Sequence, residues 1–311
     1  MPERSRSLLW ESYGNGDRPT ERISSAPMRP EKDTIAAPDL PAGIAWIGEA
    51  PQSMPAVTAS GPVLVHFFDY SQLNSVRTLP YVIEWDRRYR DAGLTTIGVQ
   101  SPRFPFGADP IDVAAALRDL GVEFPVAIDS DRDLWHAYGC EGWPSLFLWT
   151  TGGALSWFHF GEGEYLGTEE AIQDELRQLD ALRALPEPME PLRATDAPGT
   201  KVMPPHNELI PTGSLEEPFV VEREDQGLEI PYAAGGVYVT AEGDGEIRLV
   251  FDNVPTDSVE VANPGLYPLA EHEWHEAHRI RVLPKPGMRI WSVSFAPGVK
   301  KPKPNEESPG T

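Results

Sequence analysis

The sequence predicts an α/β domain with a central mixed sheet covered by helices on both faces, followed by an all-β sandwich domain. Two observations carry this prediction. Between residues 40 and 185, short apolar runs alternate with amphipathic stretches of helical periodicity. Beyond residue 215, apolar residues instead alternate at period two, and turn clusters separate the segments. A chain of 311 residues is long enough for two such domains.

The first domain opens with the apolar run 63–68, which is typical of a strand buried on both faces. A helix over 76–92 has an apolar stripe and a potential kink at Pro80. Asp109-Pro110 predicts another helix start, with aspartate as the N-cap and proline in the first turn. The other predicted elements are strands at 94–99, 126–128, 145–149 and 155–160, a short helix within 131–138, and a helix from Thr168 to about Leu185.

The second domain is predicted to cover residues 215–298. Its expected strands are 236–240, 246–251, 258–261, 279–283 and 289–295. Residues 186–214 contain seven prolines and are predicted to be a semi-rigid linker between the domains. Residues 1–39 show no periodicity, which predicts a flexible N-terminal arm, and residues 299–311 are predicted to be a disordered tail.

The net charge of −22, from 48 acidic and 26 basic residues, disfavours nucleic acid and anionic membranes as partners. Cys140 is the only cysteine, so the chain forms no internal disulfide and no thiolate metal cluster. The sequence has no signal-peptide pattern and no run of about 18 apolar residues. These features predict a cytoplasmic protein, and we expect no cofactor.

The string FDYSQLNSVRTLPY at residues 68–81 resembles the active-site segment of DipZ and TlpA-like thioredoxins, in which Tyr-Ser-Cys-x-x-Cys precedes Arg-Thr-Leu-Pro-Tyr. Further family landmarks follow in the same order: Ile97-Gly98-Val99, Ser101-Pro102, Phe104, Tyr138, Trp143-Pro144, and the string FGEGEY at 160–165. The resemblance implies a thioredoxin fold over residues 40–185, related to the AhpC/TSA and redoxin proteins. Some DipZ-type proteins continue into a β-sandwich like a carbohydrate-binding module, and the strand pattern here is similar.

The resemblance places Gln72 at the nucleophilic cysteine position and Ser75 at the resolving one. Dithiol chemistry requires a thiolate at the helix N-terminus and a second thiol to resolve the mixed disulfide. Glutamine is not a nucleophile, and no histidine lies nearby in the sequence to activate the serine. The site is therefore predicted to be degenerate and redox-inactive.

Trp143-Pro144 matches the cis-proline loop of the family. The resemblance implies a cis bond at this position, and a groove at Tyr70, Trp143 and Pro144 that holds an extended protein or peptide partner. Cys140 lies four residues before Pro144 and has two interpretations. It is either the thiol of an oxidoreductase or peroxidase, or a small residue buried behind the loop.

The second domain offers weaker candidates for ligand binding. His272, His275 and His278 are spaced by three, so they converge on a metal if helical but point in different directions if extended. On this reasoning no metal site is assigned. A carbohydrate or other small ligand on the sandwich is the remaining alternative, with Trp274 as the candidate sugar platform and Trp291 assigned to the core.

Oxygen ligands for calcium are present at Asp252, Asp257 and Glu260, although acidic loop residues are common in so acidic a chain. Taken together, the sequence predicts a thioredoxin-like scaffold that binds a protein or a small ligand. An enzyme that uses Cys140, and a sandwich that binds carbohydrate or metal, are the alternatives.

Overall fold

In the computed structural model, which describes residues 35–302, a six-stranded mixed sheet is followed along the chain by a six-stranded antiparallel sheet. The prediction of a thioredoxin-fold domain followed by an all-β domain is confirmed. Most of the predicted arm and of the predicted tail lies outside the described residues. Within residues 35–302, no helix is long and apolar enough to cross a membrane.

The first sheet has the strand order β1-β4-β3-β2-β5-β6. Its strands are β1 (Ala45–Ile47), β2 (Val63–Phe68), β3 (Thr95–Gln100), β4 (Val126–Ile128), β5 (Ser145–Trp149) and β6 (Leu155–Phe160). Strands β2, β3 and β4 are parallel, and the other neighbours are antiparallel. Every residue of β2 is buried, as a central strand covered on both faces requires.

Five helices cover this sheet: α1 (Met54–Thr58), α2 (Leu73–Tyr89), α3 (Pro110–Asp119), α4 (Asp133–Ala137) and α5 (Tyr165–Leu179). Helix α2 starts three residues earlier than predicted because the Gln72 side chain caps it. Pro80 lies inside α2 without ending it. Helix α5 also starts earlier, since the Glu164 carbonyl already accepts a hydrogen bond from the Thr168 N–H.

The second domain contains strands β8 (Phe219–Val220), β9 (Leu228–Glu242), β10 (Gly245–Phe251), β11 (Val254–Val261), β12 (Gly265–Pro284) and β13 (Arg289–Ala296). They form one sheet in the order β11-β10-β12-β9-β13-β8. Side chains from both halves of β9, such as Ile230 and Val239, enter one hydrophobic core. The core-facing residues have even numbers before Gly235 and odd numbers after Gly236. Both halves of this long strand therefore contribute to the same core.

Strand β12 contains a large bulge. Glu271 pairs with Gly236 and Glu276 pairs with Ala234, so residues 272–275 lie opposite Gly235 alone. A Cβ atom on Gly235 would lie 2.4 Å from the carbonyl oxygen of Pro297, so the close backbone approach requires glycine. Pro297 precedes the two-residue strand β14 (Gly298–Val299), which pairs with β7 (Val202–Met203).

The two domains share a packed interface. Trp291 is 5% exposed, and its ring lies 5.2 Å from that of Phe104. The core position predicted for Trp291 is confirmed, although the core it joins is that of the first domain. Glu208, from the proline-rich segment 186–214, adds a two-pronged ion pair with Arg103 beside this interface. The second domain therefore packs against the face of the first domain that carries the loop after β3.

The proline-rich segment 186–214 contains a single 3₁₀ turn at Ala194–Asp196 besides β7. It also contacts the first domain through side chains. The Tyr81 hydroxyl donates to Asp196 at 2.8 Å, and the Met189 N–H donates to Glu169 at 2.8 Å. At the other end of the domain, Ala36 forms a bridge with Ala154, so the last residues of the predicted arm lie against the sheet. The domain boundaries drawn from the sequence remain predictions.

Candidate functional site

The loop that joins β2 to α2 and the first turn of α2 carry Gln72 and Ser75, the two positions to which the family resemblance assigns cysteines. The Gln72 side chain accepts a hydrogen bond from the Ser75 N–H at 2.8 Å. The Ser75 hydroxyl accepts one from the Asp69 N–H at 3.2 Å. Gln72 is therefore the N-cap of the 17-residue helix α2, whereas Ser75 ties the first turn of that helix to the loop before it.

Asp69 is a buried carboxyl group beneath this loop. One of its oxygens accepts hydrogen bonds from the Ser71 N–H and the Ser71 hydroxyl, both at 2.8 Å. The other accepts from the Arg103 N–H. Burial raises the pKa of Asp69 above its usual value, and these hydrogen bonds oppose that increase. The carboxyl group fixes the loop before α2 to the loop after β3.

The second domain reaches this loop directly. The Thr240 hydroxyl, from β9, donates to the Ser71 carbonyl oxygen at 2.9 Å, and both residues are buried. Tyr70 is 2% exposed and lines a cavity of about 170 Å³ that lies between α2 and residues 263–267. Part of the surface around the loop before α2 is therefore an interdomain contact.

The Trp143–Pro144 peptide bond is cis, as the family resemblance implies. The indole N–H of Trp143 donates to the Ser101 carbonyl at 2.8 Å, and the ring lies 4.3 Å from that of Trp135. The Arg132 guanidinium lies 5.5 Å from the Trp143 ring centroid. Trp143 is thus held in one orientation while remaining half-buried.

The residues of the predicted groove divide between the two faces of the sheet. Tyr70 belongs to the hydrophobic core that includes α2. Trp143 packs against the other core, which includes Cys140 and Leu134. The structure therefore does not place Tyr70 and Trp143 in one hydrophobic cluster, and the groove remains a prediction.

Cys140 is 9% exposed and packs among apolar side chains. Burial raises the pKa of its thiol to about 12, so the thiolate is scarce at neutral pH. Its backbone N–H donates to the Trp135 carbonyl at the end of α4. These properties are those of a packed residue behind the cis-proline loop.

The three histidines lie on β12, which is extended, yet two of them meet. The ring centroids of His272 and His278 are 4.6 Å apart, whereas His275 does not join them. The expectation that extended backbone separates all three is wrong, because the bulge at 272–275 changes the direction in which successive side chains point. Spacing in the sequence gave no signal for this bulge.

Two acidic residues accompany this histidine pair. The Glu276 carboxylate lies 3.3 Å from His278 Nε2, and the Asp252 carboxylate lies 2.7 Å from His278 Nδ1. Burial, followed by the neighbouring His278, lowers the pKa of His272 below its usual value. Sequence reasoning missed Glu276. It grouped Asp252 with Asp257 and Glu260 as oxygen ligands for calcium.

The other candidates in the second domain are less well supported. Within residues 35–302, Asp257 and Glu260 join no group of three potential metal ligands. Both are exposed on β11. Trp274 lies in the bulge of β12 and is half-buried, so it is not the freely exposed ring expected of a sugar platform.

Comparisons with known proteins place this geometry in context. No protein-family model matches the chain. Protein DipZ of Mycobacterium bovis is 24% identical over 296 residues, covering 83% of this chain and 42% of the DipZ sequence. The chain therefore spans less than half the length of this relative. NHL repeat-containing protein 2 of Gallus gallus is 30% identical over 135 residues, covering 43% of this chain and 18% of that protein.

Among solved structures, a thiol-disulfide isomerase from Corynebacterium glutamicum is 21% identical with a TM-score of 0.41, covering 45% of this chain and 96% of the isomerase. The match to DipZ covers 83% of the chain, so it extends through both domains. It accords with the motif at residues 68–81 and with the cis bond before Pro144. The first domain has a thioredoxin-like fold, and the chain is similar to DipZ over most of its length.

Proposed function

We propose that this chain is a redox-inactive thioredoxin-like protein that binds an extended polypeptide at the Trp143–Pro144 loop. The observation that carries the proposal is that Gln72 caps α2 and that Ser75 bonds to the preceding loop, so neither position holds a thiol. Neither side chain supplies a thiolate, and both are engaged in hydrogen bonds that hold α2. A site of this kind retains the fold of the family without its exchange chemistry.

An enzyme that works through Cys140 is the competing function. A nucleophilic thiol requires solvent access and a depressed pKa. Cys140 is buried, and its pKa is raised to about 12. These properties favour binding over thiol catalysis.

The polypeptide partner is supported by the cis-proline loop. Trp143 is half-buried, and its orientation is fixed by the hydrogen bond to Ser101 and by the Trp135 ring. A preorganised aromatic side chain loses little conformational entropy when a partner packs against it. We propose the cytoplasm as the site of action, because the proposed binding role does not require an oxidising compartment.

The test is a binding titration with a polypeptide that has no disulfide, such as carboxymethylated insulin B chain, followed by fluorescence anisotropy. Trp143→Ala is expected to weaken binding about tenfold or more, because truncating an aromatic anchor costs roughly 2 kcal/mol. Trp46→Ala is the matched control, since Trp46 is also half-buried and packs on the same hydrophobic core. Its affinity is expected to stay within about twofold of the unchanged protein.

Equal affinity in the unchanged protein and in Trp143→Ala would remove the loop from the proposed site. Binding lost equally in both tryptophan variants would indicate damage to the shared core instead. Thermal unfolding of each variant accompanies the titration, so that a loss of fold is distinguished from a loss of contact.

A further inference from the structure

The bulge in β12 brings together potential metal ligands that all belong to the second domain. His272, Glu276 and His278 each offer a donor atom, and these three atoms lie within 4.8 Å of one another. Two imidazoles and one carboxylate are a donor set that suits first-row transition metals.

The histidine rings are oriented by further hydrogen bonds. Asp252, in the turn between β10 and β11, lies 2.7 Å from Nδ1 of His278, which leaves Nε2 facing Glu276. The Tyr232 hydroxyl lies 2.8 Å from Nε2 of His272. When that Nε2–H donates to Tyr232, Nδ1 of His272 carries the lone pair that a cation requires. Such outer partners fix ring orientation and tautomer in metal sites.

We propose that His272, Glu276 and His278 bind a divalent first-row transition metal ion, with Zn²⁺ as the reference ion. Asp252 and Tyr232 act as positioning residues for the two imidazoles. Three protein donors leave one position of a tetrahedral ion open to water or to a further ligand. The ion would connect the bulge of β12 to the turn that carries Asp252.

The observed spacing is close to what such an ion needs. Donors at about 2.0 to 2.1 Å from a tetrahedral ion are about 3.4 Å from one another. A pair 4.8 Å apart reaches that distance when each donor moves by roughly 0.7 Å, which small side-chain rotations supply. The bulge thus places the backbone so that only the side chains need to adjust.

The site is also accessible. The side chains of Glu276 and His278 are 33% and 20% exposed, so an ion enters from solvent without local unfolding. Lys301 lies 3.9 Å from Glu276. Its side chain is 70% exposed, and an ion pair in such a position contributes little, so a divalent ion displaces it readily.

The test is a calorimetric titration of the untagged full chain with Zn²⁺, together with the absorption spectrum of the Co²⁺ form. We expect one Zn²⁺ per chain and a Co²⁺ spectrum of four- or five-coordinate type, with no saturable binding of Mg²⁺ or Ca²⁺. His272→Gln and His278→Gln are each expected to weaken Zn²⁺ binding at least tenfold, because each removes one of three donors.

The chain offers two matched controls. His275→Gln changes the histidine of the same bulge that is absent from the ligand group, and His136→Gln changes an exposed histidine on α4. Both variants are expected to bind Zn²⁺ within about twofold of the unchanged protein. All seven histidines lie within residues 35–302, so the remaining sites can be tested in the same way.

The proposal is overturned if the unchanged chain does not bind Zn²⁺ saturably, or if His272→Gln and His278→Gln bind as tightly as the controls. His272→Gln also breaks the contact with the buried Tyr232, so circular dichroism must show that this variant folds. Glu276→Gln is the second variant, because its partly exposed side chain tolerates the change. Zn²⁺ binding that is unaffected by Glu276→Gln and His278→Gln would contradict the proposal even if His272→Gln fails to fold.

Discussion

Two clusters of polar side chains in this protein resemble functional sites in different ways. At the N-terminus of α2, Gln72 and Ser75 occupy the positions to which the family resemblance assigns thiols; Gln72 caps the helix, and Ser75 bonds to the loop before it. In the bulge of β12, His272, Glu276 and His278 belong to no family motif, and their donor atoms converge. Hydrogen bonds at the first cluster hold its own backbone, whereas at the second they orient rings toward a shared point.

The comparison teaches that the local conformation decides what a spacing means. Positions 72 and 75 lie on one turn of a helix, so a spacing of three keeps them close. Positions 272 and 278 lie on a strand, where a spacing of six without a bulge separates residues by about 20 Å. The bulge opposite Gly235 removes that separation. Resemblance to a family therefore identifies the first cluster from the sequence, and only the folded chain defines the second.

The largest expected effect concerns the reactivity of Cys140, which carries the only thiol of the chain. With its pKa raised to about 12, native Cys140 is expected to react with iodoacetamide at pH 8 roughly a thousandfold more slowly than in the unfolded chain, where the pKa is about 8.5. The rate is measured by mass spectrometry in native buffer and in guanidinium chloride. Fast native labelling with an apparent pKa below about 7.5 would assign the thiol a chemical role.

The same pKa difference has a defined effect on stability. The unfolded chain loses the thiol proton first, so the contribution of Cys140 to stability is complete below about pH 8.5 and is lost as the pH rises toward 12. Cys140→Ser has no thiol to titrate at this position. The variant is therefore expected to show a smaller decline in the free energy of unfolding over this alkaline range.

A smaller effect tests the orientation of the second cluster. Asp252→Asn is expected to weaken Zn²⁺ binding about tenfold, because it removes the carboxylate that orients His278. Asp252 has a φ of 48°, a left-handed conformation that asparagine tolerates, so the turn is expected to persist. The measurement is the Zn²⁺ titration, with thermal unfolding of the ion-free variant as control. An unchanged affinity would show that Asp252 does not position the ring.

The smallest effect tests the capping role of Gln72 in the first cluster. Gln72→Ala is expected to lower the free energy of unfolding by about 1 kcal/mol, because the Ser75 N–H loses its side-chain acceptor. Asn74→Ala is the control, because Asn74 lies two positions after Gln72 in the first turn of α2. This variant is expected to change the free energy of unfolding by less than about 0.5 kcal/mol. Urea denaturation gives both values. No loss in Gln72→Ala would mean that Gln72 is free for another role.

Much of the fold was predictable from the sequence because its signals are local. The apolar run 63–68, the cap at Asp109 and the motif around Gln72 each define an element without knowledge of its neighbours. Gln72 also makes α2 begin earlier than predicted. This effect depends on a hydrogen bond between residues only three positions apart. Helix and strand identities were therefore more predictable than their exact ends.

The unpredicted features depend on distant parts of the chain. Thr240 contacts Ser71 across 169 positions, and Glu276 joins the histidines because the pairing of β9 with β12 changes at Gly235. The predicted strand 236–240 includes Thr240 but gives no sign of its contact with Ser71, and no predicted element includes Glu276. Such contacts depend on strand register and on how the domains pack, which propensity and periodicity do not specify.

The central claim is that the thioredoxin-fold site has no exchange activity, and insulin reduction tests it most directly. The native full chain is incubated with insulin and dithiothreitol near pH 7, and the precipitation of reduced insulin is followed by turbidity. The account predicts the same rate with the unchanged protein, with Cys140→Ser and with dithiothreitol alone. Acceleration by the unchanged protein that disappears in Cys140→Ser would contradict the account and establish a thiol enzyme.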